Sequence, residues 1–582
     1  MIANPIVVLA LLILAGAPSI GVARIAGGQP GPPPRGPGQG APPRDARPAQ
    51  TGTAVIRGRV FAADTGRPLR RARISVQAPE LGGDNRTAST SADGRFQIKD
   101  LPAGRYNVTV SRSGYVPLRY GQRRPFETGR LLPVADKQLV DNVDFTLPRV
   151  SVITGRVFDE TGDPISGVRV MALRQQYFEG RRRLLPVPGA GPVTTDDAGQ
   201  YRIVGLTPGS YFLRAETRET WTVSEKDVEQ VMGYAPTYFP GTTAVANARR
   251  LTLAVGEEAG NTDLALIPGR AINVSGTAVD SQGRPPAGRQ VMLTQPTRGP
   301  GFMMMMSFGS ASIAPDGTFK IANVTPGEYT LSVQTATDIA GTTVQEAAAA
   351  PIVANDADID TIAMQTSAGW SVAGRIATDT GAAPGAARDR IRIAARPLNP
   401  DLNPTGRPGG NQDGGRVKDD WTFALTGIYG PSRLHVDLPD GWIVKTIVLD
   451  GREVIDASVE AKNGEALSGM EIVVSNRVNS IGGQITDEKG VAVADGTVVV
   501  FPSEAEKWTE DSRFVRSARP DQEGKFQIRG LPPGEYLVVA LEYVEEGMWN
   551  DPEYLDSIRR YGQKLTLGDT DSQTLTLKLV TP

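Results

Sequence analysis

Few side chains in this 582-residue chain are suited to covalent chemistry. It holds no cysteine and a single histidine, His435. That composition excludes disulfides, thiol catalysis, a cysteine-borne lipid anchor, cysteine–zinc sites and multi-histidine metal sites. His435 lies two residues from Asp437 in an alternating stretch, and residues two apart on a strand share a face, so a His–Asp general-base pair is geometrically possible. No nucleophile elbow accompanies it, and His435 reads as structural. Met303, Met304, Met305 and Met306 form an unusual run flanked by Phe302 and Phe308. A thioether copper site is disfavoured, because only alternate methionines of a strand share a face and no histidine or cysteine assists. The run reads as packing at a hairpin or as an adaptable hydrophobic surface for a partner.

Aromatic rings can stack on the apolar face of a pyranose, and neighbouring carboxylates can accept hydrogen bonds from its hydroxyls. Trp508 falls in a loop near the C-terminal end; Tyr543, Trp549 and Tyr554 follow in the next, among Glu545, Glu546, Asp551 and Asp556. Trp221 and Tyr234, with Tyr238 and Phe239, form a similar group earlier in the chain. Loops on a rigid scaffold commonly carry binding. Trp508, Tyr543, Trp549, Tyr554, Trp221 and Tyr234 are therefore candidates for carbohydrate contact, against the alternative that they anchor loops. The acidic loop has no D-x-D-x-D-G pattern for calcium. No metal, cofactor or catalytic residue is expected.

Sixty-two Lys+Arg against 64 Asp+Glu leave a net charge of −2, which gives no basic footprint for nucleic acid. The charge is uneven, however. Residues 53–148 carry 16 basic and 9 acidic side chains, a net +7, whereas residues 478–582 carry 11 and 18, a net −7. Opposite ends of opposite sign favour head-to-tail association or steer the basic end toward an anionic polymer or lipid, unless they are ordinary solvated faces. Arg181, Arg182 and Arg183 read as such a solvated face. At the N-terminus, residues 6–14 form a nine-residue apolar run, the length of a signal-peptide core, although no Lys or Arg precedes it. A spanning helix wants about 20 apolar residues, so an uncleaved anchor is the lesser reading. Residues 27–50 are almost wholly Pro, Gly and polar, and predict a solvated spacer.

Internal repeats supply the elements. Asp93-Gly94-Arg95-Phe96-Gln97-Ile98 is followed by Pro102-Ala103-Gly104-Arg105-Tyr106 and the alternating Val108 and Val110. The turn pair supplies a positive φ, and Phe96 and Ile98 alternate with polar residues as in a half-buried strand. The pattern returns at Gly199 to Tyr211, at Gly317 to Tyr329 and at Gly524 to Tyr536. A tyrosine just after such a turn suits a tyrosine corner, its hydroxyl bonded back to the backbone. A second signature opens each repeat with Gly58, Gly155, Gly276, Gly374 or Gly483, spaced by 97, 121, 98 and 109 residues. An alternating strand such as Val143-Asp144-Phe145-Thr146-Leu147 closes it. The fourth copy departs most: Leu434 takes the tyrosine place, and its Gly/Pro/Asn-rich residues 396–416 predict a disordered loop. Residues 223–231 predict a short helix. Short strands between turn signals otherwise read as β-sandwiches.

These signatures resemble the carboxypeptidase regulatory-like domain. The resemblance implies a transthyretin-like sandwich placed among carbohydrate-binding-like folds and related to the repeats of bacterial adhesins. It does not imply peptidase activity, since one histidine cannot furnish a peptidase zinc motif. Lysine–asparagine isopeptide bonds are not expected, because Arg57, Arg59, Arg156 and Arg375 occupy the opening strands.

The expected fold is all-β: about five transthyretin-like (Ig-like) β-sandwiches in a row behind a signal peptide and a Pro/Gly-rich linker. The expected divisions are residues 1–23 (signal), 24–52 (linker), 53–148, 149–268, 269–368, 369–477 (divergent) and 478–582. The expected function is an exported, non-catalytic binding protein for carbohydrate or a cell-surface polymer. The alternative is a spacer or assembly protein of the cell envelope that meets an envelope protein. No nucleic acid is expected as a partner, and membrane only through an uncleaved N-terminal segment.

Overall fold

The computed structural model describes residues 51–225, 228–299, 302–339, 341–386, 388–404 and 415–581. The expected signal peptide, nearly all of the linker and residues 405–414 of the expected disordered loop lie outside the described residues. Ala49–Pro582 forms one compact unit.

The chain is all-β, as its alternation predicts, and each repeat is organised around its opening strand. In the first, Ala54–Ala62 runs antiparallel to Arg95–Leu101 and parallel to Leu139–Val140 and Phe145–Leu147. The register is the same in all five copies. Gly58 faces Phe96, Gly155 faces Tyr201, Gly276 faces Phe319, Gly374 faces Phe423 and Gly483 faces Phe526. The reason for glycine lies on the strand's other side, where the closing segment passes. A Cβ would sit 2.0 Å from the Val143 carbonyl oxygen at Gly58, 2.1 Å from that of Ile362 at Gly276 and 2.2 Å from that of Met470 at Gly374.

A second sheet covers the first. In repeat one, Arg73–Gln77 lies between Arg86–Ser89 and Gly104–Ser111. Its alternation buries Ile74, Val76, Tyr106, Val108 and Val110 against Ile56, Val60, Phe96 and Ile98. Equivalent cores are centred on Tyr211, on Tyr329, on Trp370 with Phe423, and on Tyr536. We number these units one to five.

The tyrosine corners are present in four units. Tyr106 donates to Pro102 O at 2.6 Å, Tyr329 to Thr325 O at 2.9 Å and Tyr536 to Pro532 O at 2.6 Å, and Tyr211 makes the same bond to Thr207 O. In unit four Leu434 joins the core instead, and Trp370 Nε1 ties the corner to Gly430 O at 3.1 Å. Unit five has large apolar cores on both faces of one sheet, every residue of Thr497–Pro502 being buried, whereas unit two has only the small cluster of Met171, Leu173 and Phe212 on its second face. Its second core, around Phe501, Val539 and Leu541, is closed by the helix Pro552–Ile558, which begins with Pro552 in its first turn and with Asp551 as its cap.

Two expectations are corrected. The described residues of the span 223–231 are not helical: Thr220–Glu225 and Val228–Ala235 pair as antiparallel strands, and the latter strand also pairs with Ile267–Arg270. The short helical period is outweighed by β-branched residues that complete a sheet. Nor do the units simply follow one another, because unit five packs on units one, two and four. Arg124 reaches Glu542 at 2.6 Å, Arg123 reaches Asp495 at 2.6 Å, and Glu546 N donates to Phe126 O at 2.8 Å. The opposite end charges thus meet within the chain.

Candidate functional site

Unit four presents the strand Ser432–Asp437 and, after a turn, the strand Ile443–Leu449. Unit five presents the loop that follows its buried strand Thr497–Pro502, then the edge strand Arg516–Ala518. Between them lies a cleft of about 770 Å³. A second, of about 400 Å³, adjoins it and shares Leu434, His435, Ile455, Asp456, Asp511 and Ser512 as walls. The two units are joined across the floor by Arg513. Its Nε lies 2.9 Å from Asp456 Oδ1 and its Nη2 2.8 Å from Oδ2, a two-point pair that fixes angle as well as distance. Ile443 packs against the backbone of Gly530, where a Cβ would lie 2.7 Å from Ile443 Cγ2.

Two indole rings enter this cleft. Trp442, in the turn of unit four, is half-buried and leans on that unit's core. Trp549, in the Met548–Asn550 turn of unit five, is half-buried against the second core. His435 Nε2 meets Asp437 Oδ1 at 3.1 Å on the wall, which is the shared-face pairing that their spacing predicts. In the adjoining cleft Glu510 accepts a bond from Glu179 N, and burial pushes its carboxyl up to about 7.

The structure disperses the other aromatic candidates. Trp508 is buried at 5% exposure, gives its Nε1 to Pro502 O at 2.8 Å and meets Phe501 edge to face at 5.7 Å. Its ring is core, so it offers no stacking platform. Tyr234 is also buried and donates to Glu160 Oε2 at 2.9 Å, with Trp221 packed on it at 4.7 Å. Burial raises the pKa of the Tyr234 phenol. Tyr543 donates to Pro125 O at 3.0 Å and carries Arg124 over its ring at 5.3 Å, so it fastens unit five to unit one. Tyr554 packs on the second core, and burial pushes its hydroxyl up to about 12. These five anchor loops or units; of the six, Trp549 lines the larger cleft and Trp508 borders the adjoining one.

The acidic loop beside Tyr543 is also occupied. Glu545 takes both oxygens to Arg174 Nη2 at 2.8 Å, and Arg174 stacks on Phe126 at 3.7 Å. Asp551 accepts from Arg182 Nη2 at 2.9 Å while capping its helix. Arg181 and Arg182 are exposed, but all three arginines are paired: Arg183, which is largely covered, reaches Asp401 with Nη1 at 3.0 Å, and Arg181 pairs with the same carboxylate. Among the described residues no group of three His, Asp or Glu side chains is placed to hold a metal ion. The strand Phe302–Ser312 pairs with Gln290–Gly299 and forms the outer strand of unit three's sheet, with Met303 opposite Arg298 and Met306 opposite Gln295. Phe308, farther along, meets Tyr329 edge to face at 5.3 Å.

Residues 55–148 and 152–238 match the family model of the carboxypeptidase regulatory-like domain. The chain carries that domain in these two copies. No curated protein matches it. Solved structures with local likeness include the streptococcal ancillary pilin, at 12% identity over 54% of this chain and 99% of that one, with a TM-score of 0.20. A minor pilin of Streptococcus agalactiae is 12% identical over 37% of this chain and 95% of that one, with a TM-score of 0.21. The major pilin subunit of Bacillus cereus is 10% identical over 54% and 99%, with a TM-score of 0.14. Among the described residues no helix is long and apolar enough to cross a membrane.

Trp442, Asp456, Arg513 and Arg516 were missed by sequence reasoning. The only local sign was the turn Asp440-Gly441-Trp442, which aims a large ring outward from a corner.

Proposed function

We propose that the protein is an exported, non-catalytic binding protein that holds a carbohydrate or a cell-surface polymer in the cleft between units four and five. The observation that carries this reading is the pair Trp442 and Trp549, one from each unit, both half-buried and both lining the same cleft. Each core holds its indole in place, so little side-chain entropy is lost when a ring stacks on a sugar. Charged groups in the same lining, Asp456, Arg513 and Arg516 among them, supply hydrogen bonds to hydroxyls. Export rests on the apolar run of residues 6–14, which precedes the polar spacer. The test is a broad glycan array probed with the full chain, followed by Trp442→Ala and Trp549→Ala. Each variant is expected to lose at least tenfold in affinity while its melting temperature shows that the fold persists. A blank array, or full binding by both variants, overturns the reading.

A second reading has its own observation. The outer strand Phe302–Ser312 of unit three pairs on one side only among the described residues and carries no charged residue. Uncharged edges are open to strand addition by a partner. An envelope protein that joined this edge would be lost from a pull-down by a Met305→Lys variant, and unchanged capture by that variant counts against this reading.

A further inference from the structure

The charges of the cleft between units four and five do not all have partners. Asp456 is held by Arg513, Asp437 by His435, and Asp511 by Arg396. Lys445 Nζ stands 4.0 Å from Asp569. Arg516, also in the lining, is the exception. Its Nη1 donates to Val515 O at 2.9 Å and Ser512 O at 3.4 Å, and no carboxylate among the described residues pairs with it. The side chain is open to the water of the cleft, and the atoms packed around it lower its pKa by desolvation. A guanidinium exposed in the cleft without a counter-charge is available to an incoming anion. It keeps further N–H donors for that purpose, in a planar fork that matches a carboxylate.

We propose that the cleft takes an acidic glycan, one whose sugar carboxylate lands on Arg516 while neighbouring rings stack on Trp442 and Trp549. This inference rests on the reading of the cleft as a carbohydrate site and narrows it to uronate-type sugars. Position supports the choice of a sugar over an acidic peptide. The guanidinium shares its cleft with two indoles, and a pyranose ring that bears a carboxylate presents both an apolar face and an anion within one residue. A glutamate side chain presents the anion on a flexible stem with no face to stack.

The experiment uses the full chain on an array of matched pairs: uronate-containing oligosaccharides and the same oligosaccharides with each carboxylate reduced to the alcohol. The acidic member of a pair is expected to bind at least tenfold more tightly. Arg516→Gln is expected to remove that preference and leave the weaker binding of the neutral member unchanged. Arg516→Lys, which keeps the charge but not the fork, is expected to retain part of it. Equal binding of both members, or a preference that survives in Arg516→Gln, overturns the inference while the carbohydrate reading stands. No binding to any member overturns both. Competition by oligoglutamate at equal carboxylate concentration is expected to be weak; full competition overturns the inference, since charge alone would then suffice.

Discussion

At the scale of single residues, Glu510 makes the junction of units two, four and five sensitive to pH. Burial lifts its carboxyl from the ordinary 4.5 to about 7. Below about pH 4.5 the group is protonated whether the chain is folded or not. Between about 4.5 and 7 only the folded form keeps the proton, so folding stability falls as pH rises through that window and then levels off. Water still reaches part of this carboxyl and screens it, so the loss is on the order of 2 kcal/mol. Urea midpoints measured from pH 5 to 8 should show the wild type losing stability relative to Glu510→Gln, which has no proton to lose. Parallel curves for the two proteins would show that Glu510 is not held in this way. Nothing local in Trp508-Thr509-Glu510-Asp511 announces the effect, because the groups that surround Glu510 come from distant parts of the chain, Glu179 331 residues away and Arg433 77.

At the scale of elements, the repeat is a steric device as much as a hydrophobic one. The parallel pairing of opening and closing strands brings a carbonyl oxygen to within 2.1 Å of where a Gly276 Cβ would be. Gly276→Ala must push these strands apart, and overpacking of that kind costs about 1–3 kcal/mol or more. The expected outcome is a melting-temperature loss of several degrees, whereas Gly283→Ala in an exposed turn of the same unit should act only through its positive φ, 77°. Equal losses at the two sites would refute the close-approach argument. This level was largely legible in the sequence. Gly58, Phe96 and Tyr106 and their counterparts recur because each is demanded by contacts inside one unit, within about a hundred residues. The misread strand pair Thr220–Glu225 and Val228–Ala235 marks the limit: its strands are specified by the partner strand Ile267–Arg270, and a window of nine residues shows only a weak helical period. The cleft was legible at Trp549 and at the His435–Asp437 pair, but not as a cleft, since bringing Trp549 to Trp442 requires two units to be docked.

At the scale of the whole molecule, the decisive contact is between units one and five. Arg519 and Glu127 form an ion pair at 3.2 Å whose side chains are 6% and 7% exposed, and the Glu127 carboxylate also accepts from Arg123 N at 2.8 Å. Around it lie exposed pairs such as Arg123–Asp495 and Arg124–Glu542. The net +7 and −7 of the two ends show that opposite charges were available, but no pattern in either segment says that they meet in one molecule and not between two. The two kinds of pair should respond differently. Raising the salt to 1 M shortens the screening length to about 3 Å and weakens the exposed pairs, each worth at most about 1 kcal/mol. The buried pair is screened much less. Glu127→Ala strands the Arg519 guanidinium without its partner, which costs about 3–5 kcal/mol. Hydrogen exchange at the Glu546 N–H, which bonds Phe126 O across this junction, should therefore speed up modestly in salt and by more than a hundredfold in Glu127→Ala. Glu127→Leu combined with Arg519→Met removes both charges and should recover most of the protection, because a buried pair gives little net stability over apolar packing. If the single and double variants exchanged equally fast, the junction would depend on charge pairing itself. If neither differed from wild type, units one and five would not be docked through this pair in solution.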